Sequence, residues 1–204
     1  MRIVLIIEGE TERVFVPYLR HYLQDKLPGK MPEIVKQKYD GPIPTGAALQ
    51  RIVLNWLDNR RRTPADHVIA LTDVYTGSRP PKFQDAADAK AKMRQWVGDD
   101  PRFHPHAAQH DFEAWLLPYW QTIQKLASHN TAQPSGAPEQ VNHDQPPAHR
   151  IKKIFNAGGR GAYVKPRDAG RILRDNDLSI AIAQCPELKS FVNTILAVCG
   201  GSII

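Results

Sequence analysis

Hydrophobic residues in the first half of the chain alternate between short continuous runs and helical spacing. Continuous runs of strand length, such as Ile3–Ile7 and Val68–Leu71, are typical of strands buried on both faces of a sheet. The predicted strands cover residues 2–7, 33–37, 67–72 and 103–109, and the predicted helices between them cover about 11–26, 46–59 and 85–97. This alternating order predicts an α/β fold, with a four-stranded, mainly parallel sheet flanked by helices.

The second half of the chain is predicted to be helical, apart from one polar segment. A helix is predicted from Phe112, kinked by Pro118, and its apolar stripe leaves Glu113 off the buried face. Residues 128–147 are rich in proline, glutamine and asparagine, which favours a flexible loop without core residues. We therefore expect an α/β core over residues 1–127, then this loop, and then a basic helical C-terminal region over 148–204 packed on the core.

Positive charge is concentrated in one part of the sequence. The chain has 204 residues and a net charge of +6, but residues 150–174 alone contribute +7. The rest of the chain is therefore nearly neutral, and the concentration suggests a polyanionic partner such as DNA or RNA. A solvated helix face is the alternative explanation. The predicted nucleic-acid-binding residues are Lys152, Lys153, Arg160, Lys165 and Arg167.

The sequence has no features of secretion or membrane insertion. Its two cysteines, Cys185 and Cys199, lack the C-x-x-C spacing of a thiolate zinc site. It has no signal sequence and no apolar run of about 20 residues, so we expect a cytoplasmic protein without a membrane partner. The oligomeric state stays open at this point.

Acidic residues follow three of the predicted strands. Glu8 follows the first strand, Asp73 follows the third, and Glu113 comes shortly after the fourth. Ligands bind at the carboxyl ends of strands in open α/β sheets, and carboxylates are ligands that Mg²⁺ and Mn²⁺ prefer. The pattern therefore predicts a divalent metal site made by these three residues. The alternative for each acid alone is a turn residue or a helix cap.

Histidines cluster near the end of the fourth predicted strand. His110 precedes the acids Asp111 and Glu113, and an imidazole titrates near neutral pH, so His110 is a candidate catalytic general base or phosphate-facing acid. A structural hydrogen bond is the alternative role. His104 and His106 lie on one strand face with His110 four residues later, which leaves zinc binding as a further alternative.

Motifs along nearly the whole chain resemble one bacterial family. They are residues 7–16 (IEGETERVFV), 72–75 (TDVY), 101–103 (PRF), 110–114 (HDFEA), 163–165 (YVK) and 185–188 (CPEL). Their order and spacing together resemble the bacterial Toprim-like domain of unknown function numbered 4276 (DUF4276). The resemblance implies the Toprim fold, a four-stranded parallel sheet between helices. This fold is shared by topoisomerases, primases and nucleases of the overcoming-lysogenization-defect (OLD) type.

The resemblance also implies roles for the strand-end acids. In Toprim enzymes a glutamate after the first strand acts in acid–base chemistry or metal binding, and an Asp-x-Asp pair holds the divalent metal. Glu8 and Asp73 match the glutamate and the first aspartate, so the resemblance implies that both are catalytic, whereas Tyr75 stands in place of the second aspartate. Tyrosine is a poor ligand for Mg²⁺, so Glu113 or Asp111 has to complete the site.

The leading hypothesis is a Toprim-like, Mg²⁺- or Mn²⁺-dependent nuclease or nuclease subunit that cleaves phosphodiester bonds. The resemblance further implies a partner ATPase of the ABC or SMC type and a role in bacterial defence against phage. One alternative is a non-catalytic subunit that binds nucleic acid or an ATPase, with Tyr75 marking a degenerate site. A third is a small-molecule phosphatase, since residues 73–77 faintly resemble the aspartyl-nucleophile motif of haloacid-dehalogenase enzymes.

Overall fold

The computed structural model describes residues 1–75, 80–141, 145–159 and 161–204. The strands in these ranges are β1 (Arg2–Ile7), β2 (Glu33–Lys38), β3 (His67–Asp73) and β4 (Phe103–Ala108). The α-helices are α1 (Glu10–Gln24), α2 (Gly46–Leu57), α3 (Ala86–Val97), α4 (Trp120–Ala127), α5 (Pro147–Ala157), α6 (Lys165–Arg174), α7 (Leu178–Gln184) and α8 (Pro186–Val198). Two 3₁₀ helices, Phe112–Tyr119 and Pro138–Gln140, lie on either side of α4. A bilayer-spanning helix, with the length and hydrophobicity that this requires, is not found in those ranges.

The strands form one parallel sheet in the order β2-β1-β3-β4. β1 lies inside the sheet, where Val4 pairs with Val35 of β2 on one side and with Val68 of β3 on the other. Parallel neighbours need long crossover connections, and these contain α1, α2 and α3. The structure therefore confirms the predicted α/β class, a four-stranded parallel sheet flanked by helices.

The sheet separates two hydrophobic layers, because successive residues of a strand point to opposite faces. On one face, Val4 and Val68 share a cluster with Val53 of α2 and Met93 of α3. On the other face, β1 and β3 pack in a larger cluster with α1, the first 3₁₀ helix and helices α4 to α8. The carboxyl ends of the strands lie where α1 and the first 3₁₀ helix begin, so these two elements can bring side chains to that edge.

The segment Phe112–Tyr119 is a 3₁₀ helix rather than the predicted α-helix. It contacts α5, α6 and α7 as well as the sheet, so protein surrounds it on several sides. All of its residues except Pro118 are buried. The prediction that Glu113 lies off the buried face is therefore wrong, since Glu113 is 0% exposed.

The described part of the polar segment 128–147 contributes buried residues to the core. Val141 is buried in the larger hydrophobic cluster, and Glu139 is buried beside the N-terminus of α8. The Glu139 carboxylate accepts hydrogen bonds from Nε1 of Trp115 over 2.9 Å and from the backbone N–H of Glu187 over 3.0 Å. It thus satisfies an N–H group that has no partner within α8. The prediction that this segment lacks core residues is wrong at these positions, because composition does not reveal such a long-range contact.

Candidate active site

The carboxyl ends of β1 and β3 place Glu8 and Asp73 side by side. The two strands are parallel neighbours, with Ile6 paired to Ala70. The backbone N–H of Asp73 donates to Oε1 of Glu8 over 3.2 Å, and the hydroxyl of Thr72 donates to the same oxygen. Glu8 is buried, so these hydrogen bonds hold its carboxylate at the edge of the sheet rather than in solvent.

Glu12 joins these two acids from the first turn of α1. The chain turns at Gly9, which has a φ of 39° and donates its N–H to the carbonyl of Tyr39 over 3.0 Å. Glycine adopts a positive φ readily, which suits the abrupt change from β1 to α1. Burial, followed by the negative charge of Glu12, raises the pKa of Asp73 well above its usual value. Glu12 was not among the predicted site residues, although its four-residue spacing from Glu8 across the start of a helix is a signal in the sequence.

Asp111 and Glu113 bring two further buried carboxylates from the start of the first 3₁₀ helix. Glu113 accepts hydrogen bonds from Nζ of Lys165 over 3.0 Å and from the hydroxyl of Tyr163 over 3.3 Å. Oδ2 of Asp111 accepts from the backbone N–H of Ala148 over 3.1 Å. Its buried Oδ1 has no hydrogen-bond partner in the described part of the chain. Glu113 is therefore a paired carboxylate, whereas Asp111 keeps one unsatisfied oxygen.

A cleft of about 300 Å³ opens at this edge of the sheet. Its lining includes Glu8, Glu12, Asp73, Glu113 and Lys165. A larger cleft, of about 910 Å³, lies between α1 and the α6–α7 region, but acidic and basic side chains are mixed in its lining. The smaller cleft is chemically distinctive, because five carboxylates, including the partly exposed Glu10, line it together with one ammonium.

Burial and mutual repulsion favour the protonated forms of the acids at the cleft. Burial raises the pKa of Glu12 to about 8, and the charges of Glu8 and Glu113 add to the effect. Burial also raises the pKa of Asp111 to about 7, again with a contribution from Glu113. The pKa of Glu8 is raised by burial even though the hydrogen bond from Thr72 opposes the change. A cation bound among these groups would relieve their repulsion.

Lys165 reaches the acidic cleft from the N-terminus of α6. Burial by itself would lower the pKa of its ammonium, but the charges of Glu113 and Asp111 raise that pKa overall. Its side chain is 41% exposed, so the ammonium contacts both the buried carboxylate and solvent. The sequence pattern assigned Lys165 to a basic nucleic-acid-binding segment, and the structure places it within the cleft itself.

Three other basic residues predicted to bind nucleic acid, Lys152, Lys153 and Arg167, lie outside the cleft lining. Lys152 and Lys153 are exposed on α5. Arg167 is exposed on α6 and pairs with the buried Asp168, with 2.9 Å between Nη2 and Oδ2. Arg160 lies outside the described residues. The two α5 lysines and Lys165 therefore present their ammonium groups to solvent, whereas the guanidinium of Arg167 is engaged by Asp168.

His110 lies at the same edge of the sheet and stacks on Tyr75. Their ring centroids are 5.4 Å apart with 17° between the planes, and the backbone N–H of Tyr75 donates to the carbonyl of His110 over 2.7 Å. His110 has a φ of 70°, which is uncommon for a residue other than glycine. Burial lowers the pKa of its imidazole, which favours the neutral form that can accept a proton.

The three histidines near β4 have separate partners. Nε2 of His104 lies 3.1 Å from Nδ1 of His67, and Nε2 of His106 lies 2.9 Å from the hydroxyl of Thr194. His110 contacts Tyr75 instead, so the structure does not bring the histidines together as the zinc alternative requires.

The side chains at the cleft fit a hard divalent cation by their chemistry. Glu8, Glu12, Asp73 and Glu113 offer carboxylate oxygens, and Oδ1 of Asp111 is a further buried acceptor. Mg²⁺ commonly takes one or two carboxylates and keeps several waters. Within the described ranges, no three His, Cys, Asp or Glu side chains are arranged around one point to hold an ion. Ion binding in this cleft therefore needs carboxylates to change rotamer or waters to complete the ligand set.

Solved structures with a similar fold come from OLD proteins. The C-terminal region of the Burkholderia pseudomallei OLD protein has a TM-score of 0.53 and 14% identity, over 97% of this chain and 98% of that chain. The C-terminal region of the Xanthomonas campestris pv. campestris OLD protein has a TM-score of 0.49 and 16% identity, over 98% of this chain and 96% of that chain. The first of these similarities supports the α/β fold described above.

Sequence comparison shows the family directly. No curated protein matches the chain. The model of the family described as Domain of unknown function (DUF4276) matches residues 7–196, a range that contains the strand-end acids, His110 and Lys165. The chain therefore belongs to the DUF4276 family.

Proposed function

We propose that this chain is a Toprim-like, metal-dependent nuclease that hydrolyses phosphodiester bonds with Mg²⁺ or Mn²⁺. The observation that carries the proposal is the acidic cleft, where Glu8, Glu12, Asp73 and Glu113 meet Lys165 at the carboxyl edge of a parallel sheet. Repulsion among these carboxylates costs stability unless protons or cations compensate it. A site of this kind is typical of enzymes that bind divalent metal and phosphate together.

Glu8, Asp73 and Glu113 are the proposed metal-holding residues, and Glu12 and Asp111 extend the set. All five offer oxygen atoms, which suit Mg²⁺ and Mn²⁺ better than softer metals. When bound, the metal activates water and stabilises negative charge on the phosphoryl oxygens. Glu8 and Asp73 share a hydrogen bond between backbone and carboxylate, which fixes their relative positions before any ligand arrives.

His110 and Lys165 are the proposed partners of the substrate. The neutral imidazole favoured by burial of His110 suits a general base, since it can accept a proton from water. Lys165 has three donors on its ammonium and lines the cleft, so it suits contact with a phosphate oxygen. The α5 lysines Lys152 and Lys153 are proposed to bind the nucleic-acid backbone farther along the strand, together with Arg160 and Arg167.

The relatives support a wider setting for this activity. The fold similarity to the C-terminal region of an OLD protein agrees with the Toprim-like affiliation that the sequence motifs suggest. That resemblance implies a partner ATPase of the ABC or SMC type and a role in bacterial phage defence, which we propose for this chain as well. The two cysteines are free thiols, in agreement with the expected cytoplasmic location.

A cleavage assay with matched aspartate variants tests the proposal. Supercoiled plasmid, linear duplex DNA and single-stranded RNA are incubated with the protein in Mg²⁺, Mn²⁺ or EDTA. Asp73→Asn removes a charge at the carboxyl end of β3, whereas Asp66→Asn removes an exposed one just before the same strand. Metal-dependent cleavage that is lost in Asp73→Asn and Glu8→Gln, and kept in Asp66→Asn, supports the nuclease. Cleavage that persists in both site variants contradicts this assignment of the site.

A non-catalytic subunit is the second candidate function. It is favoured by Tyr75 at the position of the second Toprim aspartate and by the lack, in the described residues, of three side chains arranged to hold an ion. Salt-sensitive binding to nucleic acid with no cleavage under any metal condition would support this candidate. Binding of an ABC- or SMC-type ATPase that leaves the protein inactive on nucleic acid would support it further.

A further inference from the structure

Tyr75 presents an exposed aromatic ring at the edge of the sheet that carries the acidic cleft. It follows Asp73 by two residues and is 39% exposed. Tyr75 itself has no role in the nuclease proposal.

The imidazole of His110 stacks on one face of the Tyr75 ring and fixes the orientation of that ring. The rings are nearly parallel, with 17° between their planes, and a hydrogen bond of 2.7 Å joins the two backbones. His110 is 7% exposed and adopts the left-handed conformation that makes this contact, at a conformational cost that non-glycine residues rarely accept. Its buried Nε2 has no hydrogen-bond partner in the described ranges. A strained, buried residue with an unsatisfied nitrogen calls for a functional explanation, and support of the exposed Tyr75 ring supplies one.

We infer that Tyr75, supported by His110, is a stacking platform for a nucleobase beside the scissile phosphate. This inference rests on the proposed function, because it assumes that nucleic acid enters the acidic cleft. It deepens that function by naming the substrate class as nucleic acid that is unpaired at the cleft. A base inside a duplex is covered by its neighbours on both faces, so it must leave the stack to contact the ring.

The surrounding charges agree with a single strand lying across this edge. Lys165 lies in the cleft, and Lys152 and Lys153 are exposed on α5. α5 is tied to the site through the hydrogen bond from Ala148 to Asp111. Aromatic stacking combined with lysine contacts to phosphates is the usual way in which proteins bind single strands without reading their sequence.

Fluorescence anisotropy in EDTA tests the inference without any cleavage. The probes are labelled oligothymidylate and oligouridylate of about 15 nucleotides, an oligonucleotide of the same length with abasic residues, and a duplex of similar length. The variants are Tyr75→Leu, which removes the aromatic face, and Tyr75→Phe, which keeps it. Binding of the abasic probe by Tyr75→Leu shows that this variant remains folded.

We expect the wild-type protein and Tyr75→Phe to bind the base-containing single strands about tenfold or more tightly than Tyr75→Leu does. All three proteins should bind the abasic probe equally. Equal affinity of Tyr75→Leu and wild type for the base-containing strands would overturn the inference, as would a wild-type preference for the duplex or no binding at all. If the protein cleaves nucleic acid but Tyr75→Leu binds the strands as tightly as the wild type, only the stacking inference is refuted. If binding depends on Tyr75 but no cleavage occurs with Mg²⁺ or Mn²⁺, only the nuclease proposal is refuted.

Discussion

The ammonium of Lys165 lies 3.0 Å from a carboxylate oxygen of Glu113, a residue with no exposed surface. The two residues are 52 positions apart in the sequence and belong to α6 and the first 3₁₀ helix. A buried carboxylate without a partner is costly, so this contact ties the basic C-terminal region to the acidic edge of the sheet. It also sets the charge balance of the cleft in which a metal and a phosphate are proposed to bind.

Replacing Lys165 by methionine should destabilise the protein by about 1–3 kcal/mol, because Glu113 is left buried without its charged partner. This loss of unfolding free energy is smaller than the loss expected on breaking a fully buried ion pair, because the lysine is partly exposed. Urea unfolding at pH 7 measures the change. Lys152→Met, at an exposed position on α5, is the matched control and should change stability by less than about 0.5 kcal/mol. Equal effects of the two variants would show that the contact with Glu113 contributes nothing.

In EDTA, the stability of the protein should fall as the pH rises from 7 to 9. The pKa of Glu12 is raised by burial to about 8, above its value in the unfolded chain, so the folded protein holds a proton that the unfolded chain has already lost. Protonation therefore stabilises the fold below this pKa, and the contribution disappears as the pH passes through 8. We expect a loss of about 1 kcal/mol from this residue across the interval.

Glu12→Gln identifies the source of that pH dependence. Glutamine keeps the size of the side chain but cannot ionise, so the variant should lose less stability than the wild type between pH 7 and pH 9. Urea unfolding at both pH values gives the comparison. Parallel pH profiles for the two proteins would show that Glu12 ionises normally in the folded state.

Divalent metal should stabilise the wild-type protein and have a weaker effect on Asp73→Asn and Glu8→Gln. A cation that binds only the folded protein adds about 2.7 kcal/mol when its concentration is 100 times the Kd. In EDTA, Asp73→Asn should be more stable than the wild type, because asparagine cannot take the negative charge that burial and Glu12 disfavour at this position. Thermal unfolding with Mg²⁺, Mn²⁺ or EDTA measures both effects. Asp66→Asn should respond to metal like the wild type, and an equal response of all variants would place the metal elsewhere.

The pattern of the sequence was sufficient to predict the sheet and to place Glu8 and Asp73 at the same edge of it. Continuous apolar runs identify β1 and β3, and the parallel order brings the residues that follow them, Glu8 and Asp73, to one edge. The rest of the cleft depends on contacts that periodicity does not encode. Glu113 is buried because α5, α6 and α7 pack around the first 3₁₀ helix. Lys165 reaches it from an element that adjoins the site only in the folded chain.

The buried carboxylate of Glu139 makes long-range contacts that the polar composition of residues 128–147 does not reveal. It accepts hydrogen bonds from Nε1 of Trp115 and from the backbone N–H groups of Glu187 and Leu188 at the start of α8. Glu139→Ala leaves these donors buried without a partner, so we expect a loss of about 1–3 kcal/mol in urea unfolding. Glu139→Gln keeps one acceptor oxygen and should lose less. If alanine and glutamine cost the same, the acceptor oxygen that glutamine keeps contributes nothing, which would contradict the stabilising role of these hydrogen bonds.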